Sequence, residues 1–268
     1  MQINKNLKFI IFCFIVFLSF DSHTDEGFSI SAVIETPQVE INGNADDPAI
    51  WFNEVDPSLS IVFGTDKYNG VYSYNLSGDV IGFSKSGSMN NIDLRTLNDN
   101  TYIFTTDSSN NTVNVWTYKN SYLHNKSKEG SFALDKIPHH TSKVNFLAYG
   151  LCGGLSKKDE VIIFVTEAKG PGVQLWKFDD VKLSLLNTFN NSNAYESEGC
   201  VFDDENQKFF ISEENKKGVI RSYSLTNKLL LDNKFRIDDR DGNIIGDPEG
   251  LAILKTSKHE GFLIASSQ

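Results

Sequence analysis

The sequence predicts an all-β fold, a β-propeller, on three observations. From residue 45 onward, short runs rich in Val, Ile, Phe, Tyr and Trp alternate with Asn, Gly, Asp and Ser. Steps of about 10 residues between such runs are the pattern of antiparallel strands joined by tight turns. The runs fall into fours, and the four-run unit recurs about every 50 residues, the size of a propeller blade. No stretch beyond the N-terminus shows the spacing of an amphipathic helix. Evenly spaced strands also suit a sandwich, but an internal repeat speaks for blades.

Blade one is expected at residues 48–52, 60–64, 70–74 and 80–83. Blade two follows at 92–97, 102–106, 112–118 and 131–134, and blade three at 149–155, 161–166, 172–178 and 183–189. Blade four is expected at 198–203, 208–212, 218–225 and 229–235, and 250–254 with 261–266 opens a fifth. Equivalent strands read alike. Third strands carry Val71-Tyr-Ser-Tyr74, Val113-Asn-Val-Trp-Thr-Tyr118, Val173-Gln-Leu-Trp-Lys-Phe178 and Val219-Ile-Arg-Ser-Tyr223. First strands open with Tyr149-Gly150, Glu198-Gly199 and Glu249-Gly250. Asp47 to Asp93, Tyr149 to Glu198 and Glu198 to Glu249 are 46, 49 and 51 residues apart.

The N-terminus reads as a targeting segment. Lys5 and Lys8 precede an apolar run over residues 9–20, and the first acid is Asp21. About 12 apolar residues suit a secretory signal peptide and are too few for a spanning helix, with an uncleaved anchor as the alternative. Residues 1–22 are therefore expected to be a signal peptide and 23–268 a single propeller domain, secreted or periplasmic, monomeric and without membrane insertion after cleavage. Cleavage removes Cys13 and leaves Cys152 and Cys200, an even pair that in an exported protein points to a disulfide. With 20 Phe, 9 Tyr and 3 Trp the chain is not disordered. Its net charge of −10 excludes general nucleic-acid binding. An acidic protein that binds an anion needs a bridging cation.

The repeat places the chemistry. First strands of a propeller line the central channel, so equivalent positions form a ring at its mouth. Here they hold Asp46/Asp47, Asn91/Asp93, Tyr149, Glu198 and Asp247/Glu249. The ends of the second strands add Asp66-Lys67, Asp107, Glu167 near Lys169, and Glu213-Glu214. Converging carboxylates repel and desolvate one another unless a cation neutralises them, and oxygen donors without His or Cys suit Ca²⁺. The alternative is that these acids cap turns, as most acids in β-turns do. Lys67, Arg95 and Lys169 stand beside them and could clamp a phosphate, which suits metal-assisted phosphoester hydrolysis.

Eight stretches carry a resemblance. They are Ala45-Asp-Asp-Pro-Ala-Ile-Trp51, Gly64-Thr-Asp-Lys67, Asn90-Asn-Ile-Asp-Leu-Arg95, Tyr149-Gly150, Glu198-Gly-Cys-Val-Phe-Asp-Asp204, Ile211-Ser-Glu-Glu214, Asp247-Pro-Glu-Gly-Leu251 and Leu263-Ile-Ala-Ser-Ser-Gln268. Together with Glu35-Thr36 they resemble the β-propeller phytases, six-bladed, secreted, calcium-dependent 3-phytases. The resemblance implies that Glu35, Asp46, Asp47, Glu198, Glu214, Asp247 and Glu249 bind several calcium ions. It implies that Lys67, Tyr149, Lys169 and, less directly, Arg95 contact the phosphates of phytate, with Asp47, Glu198, Lys67 and Lys169 the catalytic set. Two positions depart from the family: Tyr68 follows Lys67 where a second lysine is usual, and Thr106-Asp-Ser-Ser-Asn-Asn111 lacks the usual arginine. The family pattern also implies about one and a half further blades, so the chain is expected to be C-terminally incomplete as a phytase. A non-catalytic, calcium-stabilised propeller and a single-calcium lactonase are the competing readings.

Overall fold

The structure, a computed structural model, describes residues 31–39, 43–192, 194–215, 218–228, 231–237, 244 and 246–267. The expected signal peptide at 1–22 lies outside the described residues. The chain divides into Met1–Val33 and Ile34–Gln268, and every blade belongs to the second unit.

Blade one is β1 (Ala45–Trp51), β2 (Ile61–Asp66), β3 (Gly70–Tyr74) and β4 (Val80–Ser84). Blade two is β5 (Met89–Leu97), β6 (Asn100–Asp107), β7 (Thr112–Lys119) and β8 (His140–Lys143), with one helix, α1 (Asn120–Lys128), between its last two strands. Blade three is β9 (Ala148–Leu155), β10 (Val161–Glu167), β11 (Gly172–Phe178) and β12 (Leu183–Asn190). Blade four is β13 (Cys200–Asp203), β14 (Lys208–Ser212), β15 (Ile220–Leu225) and β16 (Leu231–Arg236). β17 (Pro248–Lys255) and β18 (Gly261–Ser267) form a two-stranded sheet, the start of a fifth. Every neighbouring pair is antiparallel in chain order. The fold is an all-β propeller with four full blades and part of a fifth.

Blades stack face to face, so their strands are apolar on both sides. One core joins Trp51, Ile61 and Phe63 of blade one to Met89, Ile103 and Trp116 of blade two. The next joins Phe104 and Val115 to Ile163, Val165 and Trp176, and the third joins Phe164 and Leu175 to Phe202, Phe209 and Tyr223. This is why Val161-Ile-Ile-Phe-Val165 is a continuous apolar run rather than an alternating one. The first strands lie side by side about the axis: β1 against β5, β5 against β9, β9 against β13, and β13 against β17.

Blade two departs from expectation. Residues 131–134 are not its outer strand; Phe132 N–H donates to Ile81 O of β4, and its ring packs on Phe63, so this run closes blade one. The outer strand is the polar segment His140–Lys143. The helix, also unexpected, buries only Leu123 and Ser127, too little for a legible apolar stripe. It is held by Leu123 in the first core and by Ser127 Oγ donating to Leu59 O at 2.7 Å.

Candidate functional site

The mouth residues stand at irregularities in the first strands. Between paired positions of β1 and β2, Asp46 and Asp47 oppose Thr65 alone; Asn90-Asn91 oppose Thr106, Tyr149-Gly150 oppose Thr166, and Glu249-Gly250 oppose Ser266. A β-bulge of this kind twists the strand and re-aims its side chains, here toward the axis. Glycine is required beside two of them. A methyl group at Gly150 would lie 2.0 Å from Glu198 O, and one at Gly199 would lie 1.8 Å from Glu249 O.

Acids come together beside these bulges. Carboxylate oxygens of Glu198, Glu214 and Glu249 lie within 4.8 Å of one another. Lys67 Nζ is 3.1 Å from Asp46 Oδ1 and 3.7 Å from Glu198 Oε1, and 5.7 Å above the Tyr149 ring. Asn90 Nδ2 donates to Glu198 Oε1 at 3.1 Å, and Ile92 N–H to Asp47 Oδ2 at 3.1 Å. A cavity of about 160 Å³ opens among Asp46, Asp47, Asn91, Glu198, Glu249 and Ser266. Two buried oxygens here, Glu214 Oε2 and Asp247 Oδ1, have no hydrogen-bond partner among the described residues.

The electrostatics show carboxylates short of counter-charge. Burial, with Asp93 and Asp46 adding repulsion, pushes Asp47 up to about 8 against the pull of Ile92 N–H. Burial and Asp46 push Glu198 up to about 7, although Lys67 opposes them. Asp46 is raised by burial despite Lys67; Glu214 by burial, Glu249 and Glu196; and Glu249 by burial, Glu198 and Asp46. Lys67 loses by burial but is held above its ordinary value by Glu198 and Asp46. Tyr149, half-buried and facing Glu198 and Glu214, is raised and stays protonated. Among the described residues, Lys67 is the base that acts on Asp46, Glu198 and Glu214 together, and burial with mutual repulsion still raises all three.

Of the residues singled out in the sequence, Asp46, Asp47, Lys67, Tyr149, Glu198, Glu214 and Glu249 meet at this mouth. Asp247 lies two residues before Glu249 and acts on it electrostatically. Lys169 occupies the exposed β10–β11 turn at φ 58°, its N–H donating to Glu196 Oε1 at 3.1 Å. Glu35 does not join them: its carbonyl packs at Gly78 in the β3–β4 turn, and the residue is exposed.

Arg95, expected to contact phosphate, has its donors engaged within the protein. Its Nε donates to Asp204 Oδ2, Nη1 to Asp93 and Leu94 O, and Nη2 to Phe202 O, so every nitrogen is committed between blades two and four. The second-strand acids also divide. Asp66 accepts from Tyr68 N–H and Asn69 Nδ2, and Asp107 from Ser109 and Asn110, capping their own turns. Glu167 accepts from Gly172 N–H and Glu213 pairs with Arg221, which leaves Glu214 alone of that layer in the cluster. Sequence reading missed Asn90, which orients Glu198, and Glu196, which acts on both Glu214 and Tyr149. Asn90 was findable, because Asn90-Asn91 repeats the register of Asp46-Asp47.

Comparison with known proteins agrees with the architecture. The Phytase family model matches residues 9–268. The chain belongs to the phytase family. A curated relative of this phytase-family chain, the 3-phytase of Bacillus subtilis (strain 168), is 26% identical over 257 residues, covering 90% of this chain. The chain spans 64% of that relative's length. Among solved structures, a gluconolactonase from Xanthomonas campestris superposes with a TM-score of 0.53 at 12% identity, over 83% of this chain and 69% of the other, a likeness of fold alone.

Proposed function

We propose that this phytase-family chain is a secreted, calcium-dependent phosphomonoesterase that hydrolyses phytate, myo-inositol hexakisphosphate, to lower inositol phosphates. The observation that carries the reading is the convergence of Glu198, Glu214 and Glu249 within 4.8 Å, with buried oxygens of Glu214 and Asp247 that have no hydrogen-bond partner among the described residues. Hard oxygen donors of this number, with no His or Cys among them, fit Ca²⁺. Asp46, Asp47, Glu198, Glu214, Asp247 and Glu249 would hold it. Bound there, calcium supplies Lewis-acid polarisation of a phosphoryl oxygen and a lowered pKa for water.

The chain's own residues supply the rest. Lys67, leaning on Asp46 and Glu198 across the mouth, presents an ammonium to a phosphate oxygen. Tyr149 is a neutral phenol at this depth and so donates a hydrogen bond. Asn90 fixes Glu198 by donating to its Oε1, which holds this carboxylate in place for the cation. Lys169 stands at the rim, where it meets an incoming polyanion. Secretion is supported by the N-terminal pattern and by the Cys152–Cys200 disulfide, and no helix among the described residues is long and apolar enough to cross a membrane. The net charge of −10 argues against a nucleic-acid partner.

The commitment of Arg95 to Asp93 and Asp204 favours a second reading, a calcium-stabilised propeller that binds its ligand without turnover. Phosphate release from inositol hexakisphosphate, measured with Ca²⁺ and with excess chelator, separates the two. Release that depends on calcium supports the enzyme. Calcium binding without release leaves the binding module.

A further inference from the structure

At every bulge the single opposing residue of the second strand carries a hydroxyl. Thr65 opposes Asp46-Asp47, Thr106 opposes Asn90-Asn91, Thr166 opposes Tyr149-Gly150, and Ser266 opposes Glu249-Gly250. Ser212 stands likewise opposite Gly199, its N–H donating to Gly199 O. Three of these hydroxyls reach across to the next blade. Thr65 Oγ1 donates to Asn90 O at 2.7 Å, Thr106 Oγ1 to Tyr149 O at 2.5 Å, and Ser212 Oγ to Glu249 O at 2.7 Å. Each acceptor is the backbone carbonyl of a residue that builds the mouth.

Thr65 and Thr106 are tied to their own blade by the same hydroxyl. Ser212 is tied to its own by its backbone N–H to Gly199 O at 2.9 Å, its hydroxyl choosing between Gly199 O at 3.0 Å and the shorter contact to Glu249 O. Asp47 N–H donates to Thr65 Oγ1 at 2.9 Å and Asn91 N–H to Thr106 Oγ1 at 3.2 Å. A hydroxyl accepts and donates at once, so it can join one bulge to the next in a single atom. All three residues are at most 1% exposed, so no water replaces a lost bond.

We propose that Thr65, Thr106 and Ser212 are positioning residues, hydroxyl latches that set the spacing of the mouth groups from blade to blade. The proposal rests on the reading of the mouth as a cation site. Thr166 serves as an internal control. Its Oγ1 is buried with no hydrogen-bond partner among the described residues, and both it and Glu198 O crowd Gly150, where a methyl group would lie 2.7 Å and 2.0 Å from them, so that latch is not closed. Glu198 is placed instead by Asn90 Nδ2 and by the disulfide at Cys200.

The test uses the full chain and calcium chloride, with affinity from calorimetry and amide hydrogen exchange measured without cation. Thr106→Val and Ser212→Ala should each weaken calcium binding about tenfold, the scale seen when a partner behind a metal ligand is removed. Exchange should quicken at the bulge of the following blade, around Tyr149 and Glu249 respectively. Thr106→Ser should restore both readouts, and Thr166→Val should leave calcium affinity unchanged. Unaltered exchange at the following bulge overturns the latch. Quickened exchange with parental calcium affinity overturns the positioning role, as does an equal loss in Thr166→Val. Should Thr106→Val fail to fold, Ser212→Ala with Thr106→Ser decides the same question. A parent chain that binds no calcium would overturn the cation reading itself, while quickened exchange in the variants would still demonstrate the latch.

Discussion

Arg95 and Lys67 are both bases set between carboxylates, and they differ in the donors left over. Lys67 contacts Asp46 and Glu198 at 3.1 and 3.7 Å, with its side chain 25% exposed and no further acceptor taken up among the described residues. Arg95, its side chain 18% exposed, spends all its nitrogens on Asp93, Asp204 and two carbonyls. Asp93 in turn accepts from Gly153 N–H, and Asp204 from Leu155 N–H, so the group straps blades two, three and four. Arg95→Met should therefore cost about 3 kcal/mol, the low end for stranding buried charges because both carboxylates are partly exposed. Urea midpoints would show this, and the KM of the folded fraction for phosphate esters should stay put. A raised KM at parental stability would restore the phosphate role. The sequence showed that an arginine stood near mouth acids, but not that Asp204, 109 positions later, would claim it. The same limit hid the turn-capping of Asp66 and Asp107, which depends on where their own turns point each carboxylate.

β9 and β13 are joined at Cys152 and Cys200, whose Cα atoms are 5.6 Å apart and 48 residues distant in sequence. The bridge ties the strand that carries Tyr149 to the strand that follows Glu198, so it serves the site as well as the fold. Closing a loop of that length restricts the unfolded chain by about 4 kcal/mol in the chain-entropy account. Cys152→Ser with Cys200→Ser should lower unfolding free energy by about that much, and the loss should appear equally in parent protein kept reduced. A double variant as stable as the oxidised parent would show that the core alone holds these blades. This pairing was legible because the sequence holds two cysteines beyond the expected signal peptide and the repeat makes their strands neighbours. Elements were legible where burial imposed a pattern: the third strands of blades one to four match expectation at their apolar ends. They were illegible where one buried side chain does the anchoring, as Leu123 does for α1, or where an outer strand such as His140–Lys143 is polar throughout. An apolar run with β character, residues 131–134, misled because its packing partner is Phe63 of another blade.

Across the whole molecule, charge and cluster act together on stability. Asp47 near 8 and Glu198 near 7 lie far above the roughly 3.9 and 4.3 of their unfolded counterparts. The folded chain therefore binds more protons than the unfolded chain between about pH 4 and pH 8, and linkage makes stability fall as pH rises through that window. The carboxylates held low, Asp66 by turn hydrogen bonds and Asp203 by Lys255 and then its own turn, act oppositely, but only as pH falls below the ordinary carboxylate range. The net charge of −10 adds self-repulsion in the same direction as the cluster. Without cation, the melting temperature should decline steadily from about pH 5 to about pH 8, where these groups ionise. Saturating calcium should flatten the decline, since it pairs with the ionised form and its binding strengthens as protons leave. Asp47→Asn separates the two contributions: it leaves the surface charge in place yet should remove the part of the slope that belongs to the most perturbed carboxylate. A cation-free melting temperature that rises across this range would mean that the mouth carboxylates are already neutralised by the protein itself, and the case for calcium would fall with it.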